Sequence, residues 1–209
     1  METAAWQGVE ARVIEDIGHE DVAWNRGKAG SQVHHFAPRG HAASVNFEDG
    51  QKLRDLVIES KRDTLVEVGT NRGFSTLWIM LGMLKNDSGH LTTFDIVDAE
   101  KEYGVPYWKQ YGLPKELVTY VQKPIWGNPP ELPSQVDFVF VDSSHEVGET
   151  LQELEALTPR VPIGGIMVFH DIFLCWHMGR EILRWFTNKP GWTYEEWEYG
   201  RGLGIARHI

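Results

Sequence analysis

An acid, two glycines and a serine stand close together in the run Glu67-Val-Gly-Thr-Asn-Arg-Gly-Phe-Ser75. The run links a short segment read as a buried strand, Thr64-Leu-Val-Glu-Val68, to a stripe of Phe74, Leu77, Trp78, Leu81 and Leu84 at helical spacing. The order is strand, turn, helix. Gly69 lets the chain turn sharply and lets a ligand approach the backbone. Gly73 allows close contact at the helix start, where free N–H groups can hold a carboxylate or a phosphate. Glu67 would repel a pyrophosphate, but it could support a cationic ligand or orient the loop. The spacing departs from the G-x-G-x-x-G fingerprint, and no Gly-Lys-Ser/Thr follows, which excludes a dinucleotide fingerprint and a phosphate loop. Asp95 ends the next predicted strand, His90 to Asp95, where a carboxylate can accept hydrogen bonds from ribose hydroxyls. Either feature alone fits a plain turn or a helix cap. Together, on the first two strands, they favour a nucleoside ligand.

A second group is Asp142, His145, His170 and Asp171. Asp142 follows the apolar strand Val136–Val141, and His170-Asp171 follow the apolar strand Gly165–Phe169. Neighbouring strands would bring these side chains to one edge. Two carboxylates and an imidazole, with no thiolate, suit a divalent cation. Carboxylate and water sets favour Mg²⁺ or Ca²⁺, and the imidazole of His170 brings Mn²⁺, Fe²⁺ and Zn²⁺ into range. A bound cation lowers the pKa of a hydroxyl by stabilising its alkoxide. His145, three residues beyond Asp142, is the candidate base, with metal ligand and loop histidine as the other readings. Glu153 is either a solvated helix residue or a support for His145.

The surrounding pattern sets where these groups sit. Helices are expected near Val9–Ile17 and over Glu48–Ser60, Phe74–Lys85, Val147–Leu157 and Cys175–Thr187, the last carrying Ile182, Leu183 and Phe186. Tyr103–Tyr111 is aromatic and partly helical. Strands are expected at 64–68, 90–95, 117–122, 136–141 and 165–169. Trp192–Tyr199 and Leu203–Arg207 flank Gly200-Arg-Gly202 as a hairpin. Alternating strands and helices predict an α/β fold with a mostly parallel, Rossmann-like sheet, helices on both faces and a C-terminal antiparallel hairpin. Right-handed crossovers put the loops after the strands on one edge, where ligands bind. Residues 1–46 differ from the rest, carry His19, His34, His35 and His41, and read as an N-terminal arm or lid before a domain over 47–209.

Composition narrows the function. The 209 residues are 42% apolar and 24% charged, with a formal net charge of −10. The acidic balance argues against nucleic acid and against an anionic membrane surface. No apolar run is long enough to span a bilayer, and the start lacks the pattern of a signal peptide, so the cytoplasm is the expected compartment. A single cysteine, Cys175, excludes an intrachain disulfide. Trp176, Trp185, Trp192 and Trp197 cluster late, which fits a homo-oligomer contact or core packing equally well.

The segment Leu65–Leu77 with Asp95 resembles the first two motifs of class I S-adenosylmethionine-dependent methyltransferases. Val136-Asp-Phe-Val-Phe-Val-Asp-Ser-Ser-His145, Glu153 and Gly164-Gly-Ile-Met-Val-Phe-His-Asp171 resemble a subgroup, the small-molecule O-methyltransferases grouped with cephalosporin-hydroxylase-like and macrolide-sugar methyltransferases. The likeness runs from Gln51 to Arg207. It implies methyl transfer from S-adenosylmethionine to a hydroxyl of a small molecule, assisted by a divalent cation, commonly Mg²⁺ in such enzymes. It implies Glu67, Gly69, Thr70, Asn71, Gly73 and Ser75 around the methionine part of the cofactor and Asp95 at the ribose. Gln122 would lie at the level of the adenine, and Asp142 would border both cofactor and metal. Asp142, His170 and Asp171 would hold the cation, and His145 would be the base. Two rival readings are a metal-dependent hydrolase or oxygenase on a Rossmann-like sheet, and a non-catalytic S-adenosylmethionine-binding protein.

Overall fold

The computed structural model describes residues 8–16, 45–61 and 63–209. Its strands are β1 (Thr64–Val68), β2 (His90–Asp95), β3 (Val118–Gln122), β4 (Phe138–Val141), β5 (Ile166–Phe169), β6 (Trp192–Trp197) and β7 (Leu203–His208). They form one sheet in the order β3-β2-β1-β4-β5-β7-β6. The first five run parallel, and β7 lies antiparallel to both β5 and β6. The hairpin therefore does not simply extend the edge, because its second strand is inserted between β5 and the first. The order reverses at β1, between β2 and β4, which opens a crevice at the carboxyl ends of the strands.

Helices cover both faces. They are α1 (residues 8–16), α2 (Phe47–Ser60), α3 (Phe74–Asn86), α4 (Ala99–Tyr103), α5 (Tyr107–Gln110), α6 (Val147–Leu157) and α7 (Trp176–Thr187). On one face Leu53, Leu56 and Val57 of α2 and the apolar run of α3 pack against Leu65, Leu91 and Phe138. On the other, Leu154 and Leu157 of α6 and Met178, Ile182 and Phe186 of α7 pack against Val66, Val139 and Met167. A strand buried on both faces has no polar side to show, which is why β4 and β5 read as unbroken apolar runs.

Several sequence expectations shift. On the last helix Met178, Ile182 and Phe186 at four-residue spacing take the buried stripe, and Leu183 is 39% exposed. The aromatic stretch divides. Trp108 is buried in the core and Tyr107 packs edge-on against Phe74, while Tyr103 stays at the surface. The late tryptophans divide too: Trp192 stacks on His208 and contacts Phe186, whereas Trp176 is 51% exposed. From the expected N-terminal arm, α1 buries Val13 in the core cluster that includes α2 and α3, and its Glu10 pairs with Arg54 of α2. His19, His34, His35 and His41 lie outside the described residues. Among the described residues, no helix is long and apolar enough to cross a membrane.

Candidate active site

The carboxyl ends of β1, β2 and β4 surround a cleft of about 270 Å³. Its entrance is shaped by Gly69, which has φ +95° and donates its N–H to the Phe94 carbonyl at 2.8 Å. A Cβ at this position would lie 2.0 Å from the Asp142 carbonyl oxygen, so only glycine lets β1 leave the sheet beside β4. Asp95 is fixed by two backbone donors, Asn71 N–H at 2.8 Å on Oδ2 and Val97 N–H at 3.1 Å on Oδ1. Each oxygen keeps a further lone pair for a ligand hydroxyl. Gly69, Asn71, Asp95, Asp142 and Trp126 all line the cleft.

The remaining predicted cofactor residues lie elsewhere. Glu67 is fully buried and does not line the cleft. The hydroxyls of Ser75, Thr76 and Thr93 donate to its carboxylate, each at 2.6 Å. Burial pushes its pKa up to about 7 against the pull of those hydrogen bonds, with Asp142 adding a small push. Glu67 thus ties β1 to β2 and to the first turn of α3, and Ser75 is spent on the same tie. Thr70 is bound to Thr93 at 2.6 Å and lines a second cavity of about 190 Å³ beside Trp108 and Tyr120. Gly73 caps α3 with φ +70°, and a Cβ there would lie 3.0 Å from Trp108. Gln122 is exposed on β3; the segment just beyond it, Lys123 to Trp126, lines the cleft instead.

Glu153 is neither solvated nor attached to His145. It is fully buried at the cleft, accepts the Ser143 hydroxyl at 2.6 Å, and has its pKa pushed up to about 7 by burial. Its Oε2 is buried without a hydrogen-bond partner.

Beside the cleft, β4 and β5 deliver the second group. Val141 and Phe169 are register partners, so Asp142 and His170 emerge side by side. His170 Nδ1 stands 3.2 Å from Asp142 Oδ1 and 3.6 Å from Asp171 Oδ1. Asp171 turns its chain at φ +59°, a conformation that costs a non-glycine residue about 1–2 kcal/mol and that aspartate tolerates best after asparagine. His145 Nε2 lies 3.1 Å from Asp171 Oδ2 and 3.9 Å from Asp142 Oδ1, with its side chain 42% exposed.

The charges shape one another. Burial pulls His170 down, but the charge of Asp142, then contacts with Asp49 and Asp171, outweigh it and push the pKa up to about 10. Burial opposes ionisation of Asp171, yet the His145 hydrogen bond and the charges of His170 and Arg201 hold it below the usual carboxylate range. His145 is raised, first by its hydrogen bond to Asp171.

Asp142, His170 and Asp171 bring one ligand atom each within 4.8 Å of the others. His170 Nδ1 and Asp171 Oδ1 are buried and have no hydrogen-bond partner. Buried polar atoms left without partners are costly, and a shared cation would satisfy both. The residues present therefore fit a dication. Two neighbours escaped the sequence reading. Asp49 of α2, fully buried, has Oδ2 3.2 Å from His170 Nε2, and Arg201 Nη1 lies 3.6 Å from Asp171 Oδ2. An acid in the first turn of a helix carries no sign of a partner so far along the chain; the one available cue was its place next to Gly50 in an otherwise periodic helix.

Comparison with known proteins bears on this geometry. A family model described as a methyltransferase domain matches residues 66–172, which include Asp142, His145, His170 and Asp171 and every residue that lines the cleft. No curated protein matches the sequence. Among solved structures, an O-methyltransferase from Bacillus cereus in complex with SAH superposes with a TM-score of 0.68 at 15% identity, covering 100% of each chain. The O-methyltransferase TomG from Streptomyces achromogenes, in complex with SAM, gives 0.66 at 16% identity over 100% of this chain and 99% of its own. A SAH-bound Podospora anserina methyltransferase gives 0.68 at 13%, over 100% of this chain and 97% of its own. At such identities the likeness concerns the fold, and the matched segment supplies the rest: this chain belongs to the methyltransferase domain family, built on the class I, S-adenosylmethionine-dependent fold.

Proposed function

We propose that this protein transfers the methyl group of S-adenosylmethionine to a hydroxyl of a small molecule, with a divalent cation beside the cofactor. One observation carries the reading: Asp142 belongs at once to the wall of the cleft and to the His170–Asp171 cluster. A nucleoside and a cation at these places would share an edge, as methyl transfer to a chelated hydroxyl requires. Structural neighbours solved with SAM or SAH support the choice of cofactor. Membership in the family favours methyl transfer over hydrolysis or oxygen chemistry at the same cluster.

The cleft suits a positively charged ligand. Asp95, Asp142, Glu149 and Glu153 line it against one cation, Lys123, which is itself paired with Glu131. Asp95 would take the ribose hydroxyls, and Trp126 offers an aromatic face at the nucleoside end. When bound, the cofactor would supply an electrophilic methyl on sulfonium for the acceptor's oxygen, leaving as S-adenosylhomocysteine. Asp142, His170 and Asp171 would hold the cation, whose chemistry is to favour the ionised form of the acceptor's hydroxyl.

His145 is the base. With Nε2–H donated to Asp171, the ring is held in one tautomer and Nδ1 keeps its lone pair for the acceptor's proton. Its partial exposure leaves room for an acceptor beside it. Calorimetry with S-adenosylhomocysteine, followed by detection of that product in a panel of hydroxylated acceptors with and without divalent cation, tests the proposal. Absence of binding to the purified protein would refute it.

A further inference from the structure

His170 is held from behind. Asp49 lies 121 residues earlier in the chain, in the first turn of α2, and its Oδ2 sits 3.2 Å from His170 Nε2. Both side chains are buried, at 0% and 1% exposure. The same Oδ2 also accepts the Arg201 backbone N–H at 3.1 Å. The turn that presents Arg201 can close over the carboxylate because Gly200 precedes it: at φ +64°, a Cβ on Gly200 would lie 2.3 Å from Asp49 Oδ1. Three separate segments, α2, the end of β5 and the β6–β7 turn, thus converge on one imidazole.

That arrangement decides which ring nitrogen a cation can reach. A carboxylate at Nε2 is an acceptor and retains the proton on that nitrogen. Nδ1 faces Asp142 Oδ1 at 3.2 Å and Asp171 Oδ1 at 3.6 Å, where a bound dication would take the place of its proton. Nδ1 is one of the buried atoms with no hydrogen-bond partner. A carboxylate behind a ligating imidazole fixes its orientation and raises its basicity.

We propose that Asp49 is a positioning residue which fixes His170 as a nitrogen ligand through Nδ1, making the Asp142–His170–Asp171 centre selective for a first-row transition dication over Mg²⁺. The inference rests on the cation-assisted reading above and names the class of ion. Mg²⁺ favours oxygen ligands and gives up water reluctantly. Mn²⁺, Co²⁺ and Zn²⁺ accept imidazole readily, so replacing one oxygen by nitrogen in a three-residue set moves the balance toward them.

The test uses the full-length protein freed of metal by a chelator, with neither cofactor nor acceptor present. Co²⁺ and Mg²⁺ are titrated separately by calorimetry. Wild type is expected to bind Co²⁺ at least ~10-fold more tightly than Mg²⁺. His170→Asp is expected to lower that ratio at least ~10-fold, because it restores an all-oxygen set. Asp49→Asn is expected to weaken Co²⁺ binding ~10–100-fold. Equal affinity of wild type for the two ions, or an unchanged ratio in His170→Asp, would overturn the selectivity. Histidine ¹⁵N shifts of Zn²⁺-loaded wild type test Asp49 without any variant. Nδ1 is expected as the bound nitrogen, and ligation through Nε2 would overturn the role of Asp49. Failure of both ions to bind would also remove the cation from the proposed function. S-adenosylhomocysteine titration, which needs no metal, reads the cofactor site independently of that result.

Discussion

Replacing Glu67 by glutamine should change how stability responds to pH. The carboxyl is buried at the junction of β1, β2 and α3, and burial moves its pKa from an ordinary 4.5 to about 7. Between those values the folded protein holds a proton that the unfolded chain has released. Stability from this group is therefore greatest below pH 4.5, falls as pH rises, and levels off above about 7. A tenfold change in proton affinity is worth ~1.4 kcal/mol, so the whole fall amounts to about 3 kcal/mol. Roughly 2–3 kcal/mol of it lies between pH 5 and pH 8. Glutamine keeps the shape and can still bond to Ser75, Thr76 and Thr93, but it does not titrate. Urea unfolding of both proteins at pH 5 and pH 8 isolates the effect, because Glu153, His145 and His170 titrate in each and cancel in the difference. Glu67→Gln should gain on wild type by about 2–3 kcal/mol across that range. A gap that stays constant within ~0.5 kcal/mol would show that Glu67 is not desolvated as described.

Three other outcomes follow from the same geometry. Gly69→Ala places a Cβ 2.0 Å from the Asp142 carbonyl oxygen at a φ unfavourable to alanine; it should cost about 3 kcal/mol by denaturant unfolding and weaken S-adenosylhomocysteine binding. His145→Gln should lower kcat ~10²–10⁴-fold while leaving the S-adenosylhomocysteine Kd unchanged, since His145 does not line the cleft. Asp95→Asn leaves one of the Asn71 and Val97 N–H groups without its acceptor. It should cost about 1 kcal/mol in stability and ~10-fold in cofactor affinity, read by unfolding and by calorimetry.

What the sequence made legible is what local pattern and topology rules control. β1 and β2 keep their expected bounds because they are short runs rich in Val, Leu, Thr and Phe closed by turn signals. The meeting of Asp142 with His170 and Asp171 followed from strand adjacency alone, and the register of β4 on β5 realises it. The contributions that stayed hidden travel across the fold. Asp49 is an ordinary acid in a helix's first turn until α2 packs beneath β5. Glu67 looks like a ligand contact until Ser75, Thr76 and Thr93 are seen to turn their hydroxyls toward it from two other elements. Glu153 reads as one more polar residue on an amphipathic helix, because period alone cannot say that a cleft wall needs an acceptor for Ser143. Insertion of β7 between β5 and β6 was equally out of reach, since a Gly-rich turn specifies a hairpin but not which of its strands faces the sheet.

That insertion bears on how the molecule holds together. Residues 203–208 form an interior rung, and the turn just before them grips the loop after β5: Ile172 and Phe173 donate their N–H groups to the Gly202 and Arg201 carbonyls. Were that rung to come away, β5 would become a bare edge open to pairing with strands of other chains, and the loop that carries His170 and Asp171 would lose the bonds that hold it.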